Sequence, residues 1–408
     1  MKTWHTTRFI AVARAVAITA ISACALVGTQ LPDANAAPAR PTPSPFPAGA
    51  IATVYQSDVH GSDIIYWPVI SSFTDIRANH PDTIAENSDK AAAINQSAKN
   101  DPVRRKRALD DGYAIDGISE NQLYTMSDAF GARLGKDFRQ ALADKRLPKV
   151  SALLDTVFAR GQGIAASTLV EKLISDNDRP YVTEPDRITV YNRPGKSTSD
   201  VLSDGSSFPS GHTASAMVRT GLLALMIPEL APQFLARGSE VGYNRVVLGV
   251  HYPLDVIGGR MVADAAVADR WNDPRFRPLI VAAGAELRAE LEWRCGAVLS
   301  VCIAHDKPYL RTADAVTVYR QRMTYGFTRI GSPTAPFVVP PTAVALVARA
   351  HPGLDHAQLV DLLRQTALPA GYPLDDQSRG KPSWQRLDLA AAYTARVTPL
   401  AGGRVALG

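Results

Sequence analysis

Pro209-Ser210-Gly211-His212 leads into the run Thr213 to Met226, in which Ala214, Val218, Leu222 and Met226 recur at every fourth position. Apolar residues on that repeat line one side of a helix. The segment therefore predicts a helix whose first turn is preceded by Ser-Gly-His. Free backbone N–H groups and the positive end of the peptide dipoles gather at such a start, which suits an anion. Gly211 lets the backbone come close to a ligand, and Ser210 adds a hydroxyl.

Two further blocks flank this one. Upstream stands Lys172, then Arg179-Pro180; downstream stand Arg245, His251 and Asp255, with Pro253 between the last two. Each string is weak alone, but the order K-x6-R-P, P-S-G-H, R-x5-H-x3-D fixes enough positions that chance is a poor account. The chemistry explains the residue types. A phosphoryl group carries about two negative charges at neutral pH, and donors aimed at its oxygens are the main catalytic resource. Lys172, Arg179 and Arg245 supply cations, Lys172 as a point charge and the arginines as planar forks. A helix over 167–178 would project Lys172 and Arg179 from one face, two turns apart, with Pro180 stopping it. His251 and Asp255 fit the first turn of another helix, with Pro253 near its start. There the carboxylate can hold one imidazole nitrogen and leave the other bare as a nucleophile. His212 is the candidate general acid for the departing alkoxide, which points to a mildly acidic optimum, about pH 5 to 6.5. The scheme requires no metal and no cofactor.

The three blocks and the surrounding Gly249-Val250-His251-Tyr252-Pro253 resemble the type 2 phosphatidic acid phosphatase superfamily, and within it the soluble bacterial class A non-specific acid phosphatases. The resemblance covers Ser167 to Trp271. It implies a helical fold in which Lys172, Arg179, Ser210, Gly211, His212 and Arg245 bind phosphate, His251 becomes the phosphohistidine and Asp255 supports it. Two departures stand out: Asn244 occupies a position where the family usually has Ser, and Ser206-Ser207-Phe208 stands where class A enzymes favour Gly-Ser-Tyr. The superfamily also contains vanadium haloperoxidases, so an enzyme binding vanadate in the same cradle is the alternative activity. A phosphate-binding module without catalysis is the third reading. It has no use for a nucleophile with an orienting carboxylate.

Apolar spacing from about Ile51 to Trp271 is mostly helical, with breaks near Asn100, Asp111 to Gly117, Asp178 to Gly205 and Ile227 to Pro232, and predicts an all-α bundle over 51–272. The stretch 180–208 reads as a loop over the site. Within it Pro194-Gly195-Lys196-Ser197 is a turn, since the upstream glycine of a nucleotide P-loop is missing. Residues 273–408 form an extension with a helical run from His351 to Thr366 and an apolar stretch from Leu387 to Val397, to which no function is assigned. His305, His351 and His356 lack a ligand-like set of partners.

At the other end, Lys2, Arg8 and Arg14 precede an apolar stretch from Ala15 to Gly28 and then Ala34-Asn35-Ala36, the layout of a signal peptide over 1–36 cleaved before Ala37. Competing readings are lipoprotein processing at Cys24 and an uncleaved anchor. A Pro-rich linker, 37–50, follows as an extended tether. No later segment is apolar enough to span a bilayer, so the mature protein is expected in the periplasm or outside the cell, acting on small phosphate esters. Cys295 and Cys302 are then the remaining cysteines, and a disulfide between them needs a turn, which Gly296 permits. The net charge of +5 falls to +3 without Lys2, Arg8, Arg14 and Asp33. The run Arg104-Arg105-Lys106-Arg107 is followed by Asp110, Asp111 and Asp116 and lacks interleaved aromatics, so it reads as a solvated helix face, with no nucleic-acid partner.

Overall fold

The computed structural model describes residues 38–58, 66–114, 122–156, 159–162, 167–196, 205–376 and 380–408. The leader, with Cys24, lies outside them. The helices are α1 (Ala48–Ala52), α2 (Trp67–Ile70), α3 (Ser72–Asn79), α4 (Pro81–Ser97), α5 (Pro102–Tyr113), α6 (Gln122–Thr125), α7 (Ala132–Ala143), α8 (Pro148–Leu154) and α9 (Leu169–Ser175). They continue with α10 (Pro180–Thr183), α11 (Gly211–Met226), α12 (Ala231–Val247), α13 (Pro253–Asn272), α14 (Arg277–Cys295), α15 (Leu299–Ala304), α16 (Thr312–Thr324), α17 (His356–Thr366) and α18 (Leu389–Thr394). An antiparallel hairpin, β1 (Val397–Leu400) with β2 (Arg404–Leu407), follows α18. The fold is all-α, as the apolar spacing implies.

Three helices form its centre. On α11 the buried residues run Thr213 to Thr220 and Leu222 to Met226, and α13 is buried along nearly its whole length. A helix apolar all round must be enclosed on every side. Here α12 and α13 flank α11, while α14, α4 and α16 complete the packing. The approach of α11 to α13 depends on Gly259, where a Cβ would stand 2.5 Å from the Ser210 carbonyl oxygen. Contact that close brings the start of α11 against the start of α13, and the Ser210 N–H donates to the Asp255 carbonyl at 2.9 Å. Phe208 fixes the chain just upstream by stacking on Phe73, with ring centroids 3.7 Å apart.

Residues Pro38–Gly408 form one compact unit. Leu346, Leu363, Leu387 and Leu389 of the C-terminal third share one core with Phe234 of α12 and Ile257 of α13. The Arg260–Asp264 pair on α13 is buried at 2.9 Å, and Arg260 also donates to the Gln385 carbonyl. The run predicted from His351 begins five residues later, because Pro352 and Gly353 keep the chain irregular and Asp355 caps α17 by accepting from the Gln358 N–H at 2.9 Å. The Pro-rich segment is extended until α1, yet it is no free tether. Its Pro41 carbonyl accepts from Arg146 at 2.7 Å, and Arg40 lies over the Trp293 ring. Cys295 and Cys302 are disulfide-bonded with Cα atoms 6.1 Å apart. The reversal between them comes from Gly296, whose φ of +83° ends α14.

Candidate active site

His251 immediately precedes Tyr252, the residue that caps α13, and Asp255 lies in that helix's first turn. One carboxylate oxygen of Asp255, Oδ2, takes both the His251 Nδ1 contact at 3.0 Å and the Tyr252 N–H at 2.9 Å. On the far side of the ring, Arg179 Nη1 stands 3.2 Å from His251 Nε2 and donates to the Val250 carbonyl at 2.8 Å. A guanidinium can only donate and a carboxylate can only accept. Together these two contacts fix the tautomer: the proton sits on Nδ1 and the lone pair is on Nε2.

Lys172 reaches the same region from α9. Its ammonium donates to the carbonyls of Ser206 and Ser207, the second at 3.2 Å, and Arg179 Nε donates to the carbonyl of Gly205. Residues 205–207 thus form a bracket that holds both cations. Ser175 and Asn177 tie the bracket down, Ser175 Oγ through the Phe208 carbonyl and Asn177 N–H through Ser206 Oγ at 2.8 Å. The predicted helix over 167–178 forms only over Leu169–Ser175. It ends at Ser175 because Asp176 is left-handed, φ +43°, and Arg179 is extended, at φ −81° and ψ 153°, the conformation that a following proline favours. Lys172 and Arg179 meet through the bracket and not through a shared helix face.

Ser210 caps α11. Its Oγ accepts from the Thr213 N–H and from Thr213 Oγ1 at 2.9 Å, so its own hydroxyl hydrogen is uncommitted by those two bonds. Gly211 opens the helix at a point where a Cβ would meet Thr168 Oγ1 at 2.9 Å. His212 is half-buried, with Nε2 3.3 Å from the Gly112 carbonyl on α5. Arg245, near the end of α12, is buried.

Burial and mutual repulsion set the protonation states. The His251 pKa lies well below the usual histidine value because the ring is buried, with Arg179, Lys172 and Arg245 adding repulsion. His212 is lowered for the same first reason, then by Arg245. Burial, followed by Arg179, also lowers the Lys172 ammonium, and burial raises the Asp255 carboxyl. A dianion placed among these groups reverses the cationic part of that balance, since opposite charge favours each protonated form.

Several participants have no local sequence signal. Asp111 accepts a fork from Arg237, with Nη1 at 2.9 Å, and a bond from Asn244 Nδ2 at 2.7 Å. Asn244, the departure from the family pattern, is thereby accounted for. Arg107, read as part of a solvated face, instead pairs with Asp128 and Glu240, while Lys106 does remain exposed beside Asp110. In the extension, His305 Nδ1 meets the Val301 carbonyl and His351 Nε2 the Ala392 carbonyl.

Residues 152–272 match the PAP2 superfamily. The chain is 29% identical over 170 residues to a non-specific acid phosphatase of Providencia stuartii, covering 42% of this chain and 61% of that protein. It is 34% identical over 102 residues to an acid phosphatase of Zymomonas mobilis, covering 25% and 34%. A non-specific acid phosphatase of Salmonella typhimurium is 29% identical over 200 residues, 47% of this chain and 75% of that protein. The chain thus spans less than two thirds of the Providencia and Zymomonas proteins. No helix among the described residues is long and apolar enough to cross a membrane.

Proposed function

We propose that this chain, whose residues 152–272 form a PAP2 superfamily domain, is an exported acid phosphatase that hydrolyses small phosphate monoesters through a phosphohistidine on His251, without a metal. The observation that carries the reading is the tautomer of His251. Asp255 at 3.0 Å on Nδ1 and Arg179 at 3.2 Å on Nε2 leave the lone pair on the nitrogen beside the cations.

In this mechanism Lys172, Arg179 and Arg245, with the N–H groups at the start of α11, receive the phosphoryl oxygens. Arg179 exchanges its bond to Nε2 for one to the ester. The Nε2 lone pair then forms the N–P bond, the ester P–O bond breaks with its electron pair on the leaving oxygen, and His212 delivers a proton there. Asp255 offsets the positive charge that grows on the His251 ring. Water attacks the phosphohistidine next, losing its proton to the now neutral His212. The P–N bond breaks, and both histidines return to their starting states. The cations supply the positive charge that a two-metal site would provide, which supports the metal-free reading. The leader-like sequence of residues 1–36 supports export.

The test is hydrolysis of p-nitrophenyl phosphate by the purified protein with and without chelator, followed by acid-avoiding quench and mapping of the trapped phosphate. Activity that survives chelation, with phosphate on His251, is expected. Phosphate on Ser210, or loss with chelator and rescue by a divalent ion, overturns the mechanism. Peroxide-dependent halide oxidation in the presence of vanadate, without ester hydrolysis, would assign the domain to the haloperoxidase chemistry.

A further inference from the structure

The orientation of His212, the proposed general acid, depends on an element outside the three sequence blocks. Its Nε2 meets the Gly112 carbonyl, near the end of α5, and a carbonyl only accepts. Nε2 therefore carries a hydrogen, and in the neutral ring the bare nitrogen is Nδ1. What holds that carbonyl in place is the preceding residue. Asp111 is buried and takes three N–H groups: two from the fully buried Arg237 and one from Asn244 at 2.7 Å. Asn244 is the neighbour of Arg245 on α12. Arg237 is fixed in turn by Asp128 at 3.1 Å and by the Thr125 carbonyl. One carboxylate thus fastens the end of α5, which carries the carbonyl on His212, to the stretch of α12 that carries the phosphate-binding arginine.

We infer that Asp111, clamped by Arg237 and Asn244, is a positioning residue for the general acid: it holds the Gly112 carbonyl on His212 Nε2 and so makes Nδ1 the nitrogen that exchanges the catalytic proton. The inference rests on the proposed phosphatase mechanism for its catalytic consequence, but the tautomer follows from geometry alone. In the acid step, the Nδ1–H proton passes to the leaving oxygen and the ring is left as the Nε2–H form. During hydrolysis of the phosphohistidine, Nδ1 takes the proton of the attacking water, and the imidazolium is restored.

The experiment uses the full protein in three forms: wild type, Asp111→Asn and Asn244→Ala. The first substitution removes the charge that Arg237 requires. The second keeps the Arg237–Asp111 fork, so it remains informative if the first fails to fold. Side-chain 15N spectra of histidine-labelled protein without ligand, assigned with His212→Asn, report the tautomer. The wild type is expected as Nε2–H, and each foldable variant as a mixture of tautomers. In turnover, Asp111→Asn is expected to lower kcat for an alkyl phosphate by about tenfold or more while changing p-nitrophenyl phosphate, whose leaving group needs little proton help, by less than about threefold. Asn244→Ala should act in the same sense and more weakly. A purely structural role would lower both substrates together. Equal losses, or a wild-type His212 protonated on Nδ1 in the neutral ring, overturn the inference. If the wild type hydrolyses neither ester, the functional reading falls, and the tautomer measurement alone decides this one.

Discussion

Asp255→Asn separates a catalytic carboxylate from a structural one, because the geometry assigns the substituted amide a single orientation. The amide oxygen must occupy the Oδ2 position, where both the His251 Nδ1–H at 3.0 Å and the Tyr252 N–H at 2.9 Å need an acceptor; the reverse orientation sets two donors against one NH2. The His251 tautomer is then retained and, in kinetics run above the folded carboxyl's value of about 7, only the charge is lost. Two unit charges at the 3.0 Å of that contact interact by about 5 kcal/mol at an effective dielectric of about 20. With about half a charge developed on the ring in the transition state, the loss is about 2.5 kcal/mol, roughly 70-fold in rate. Because the interaction strengthens only as the ring becomes cationic, kcat and kcat/KM should fall together with little change in KM. Stability should move the other way at alkaline pH. Burial raises the Asp255 carboxyl above its ordinary 3.8, so the folded protein holds that proton more readily than the unfolded chain. The associated stability is present below 3.8 and is lost as pH rises through the folded value. Asparagine escapes the loss, so the variant should gain on the wild type between pH 4 and 8. Steady-state kinetics and urea unfolding at both pH values measure the two effects. A rate loss below about fivefold, or a rise in KM at constant kcat, would refute the electrostatic role.

Phosphate or vanadate binding should take up protons, since Lys172 and His212 both have lowered pKa values that a bound anion raises; affinity then increases as pH falls toward mildly acidic values. Calorimetry in buffers of different ionisation enthalpy gives the proton count, and zero or negative uptake contradicts the assignment. Gly259→Ala places a Cβ 2.5 Å from the Ser210 carbonyl, which forces the starts of α11 and α13 apart; overpacking of this kind costs about 1–3 kcal/mol, and the activity lost beyond that stability change should exceed tenfold, about 1.4 kcal/mol of transition-state binding. Cys295→Ser opens a loop with a sequence separation of 7, for which chain entropy gives about 2.5 kcal/mol; the urea midpoint should drop for the variant and, equally, for wild type under reductant.

What the sequence disclosed was whatever is encoded locally. The four-residue repeat of Ala214, Val218, Leu222 and Met226 is a statement about one helix face, and α11 follows it. Pro253 and Asp255 define the first turn of α13 for the same reason. Failure came where a long-range partner decided the outcome. Lys172 and Arg179 have suitable spacing for one helix, but Arg179 is extended before Pro180 and both cations are satisfied by carbonyls about thirty residues downstream. Asp111 stands beside a basic run and reads as a solvent-facing counterion, whereas its partner is Arg237, 126 residues away. No window of sequence contains that pair. Nor could periodicity reveal that the C-terminal third joins the same core, since burial of Leu387 and Leu389 depends on which helix lies opposite.

In the proposed mechanism the arrangement around His251 also accounts for how a nucleophile can remain both ready and unreactive without substrate. Burial keeps its ring neutral, Asp255 keeps the proton on Nδ1, and Arg179 occupies the lone pair of Nε2. Removing that last contact without replacement would forfeit one of the contacts of a buried guanidinium, which is costly. An anion that offers Arg179 an oxygen makes the exchange favourable, and the same step frees Nε2. Under that mechanism, substrate charge both loads the site and unmasks the attacking nitrogen. A neutral compound of the same shape offers Arg179 only an uncharged acceptor, a weaker partner that favours the exchange less. The selection for oxyanions thus lies in the switch of one arginine as much as in the total positive charge of the cradle.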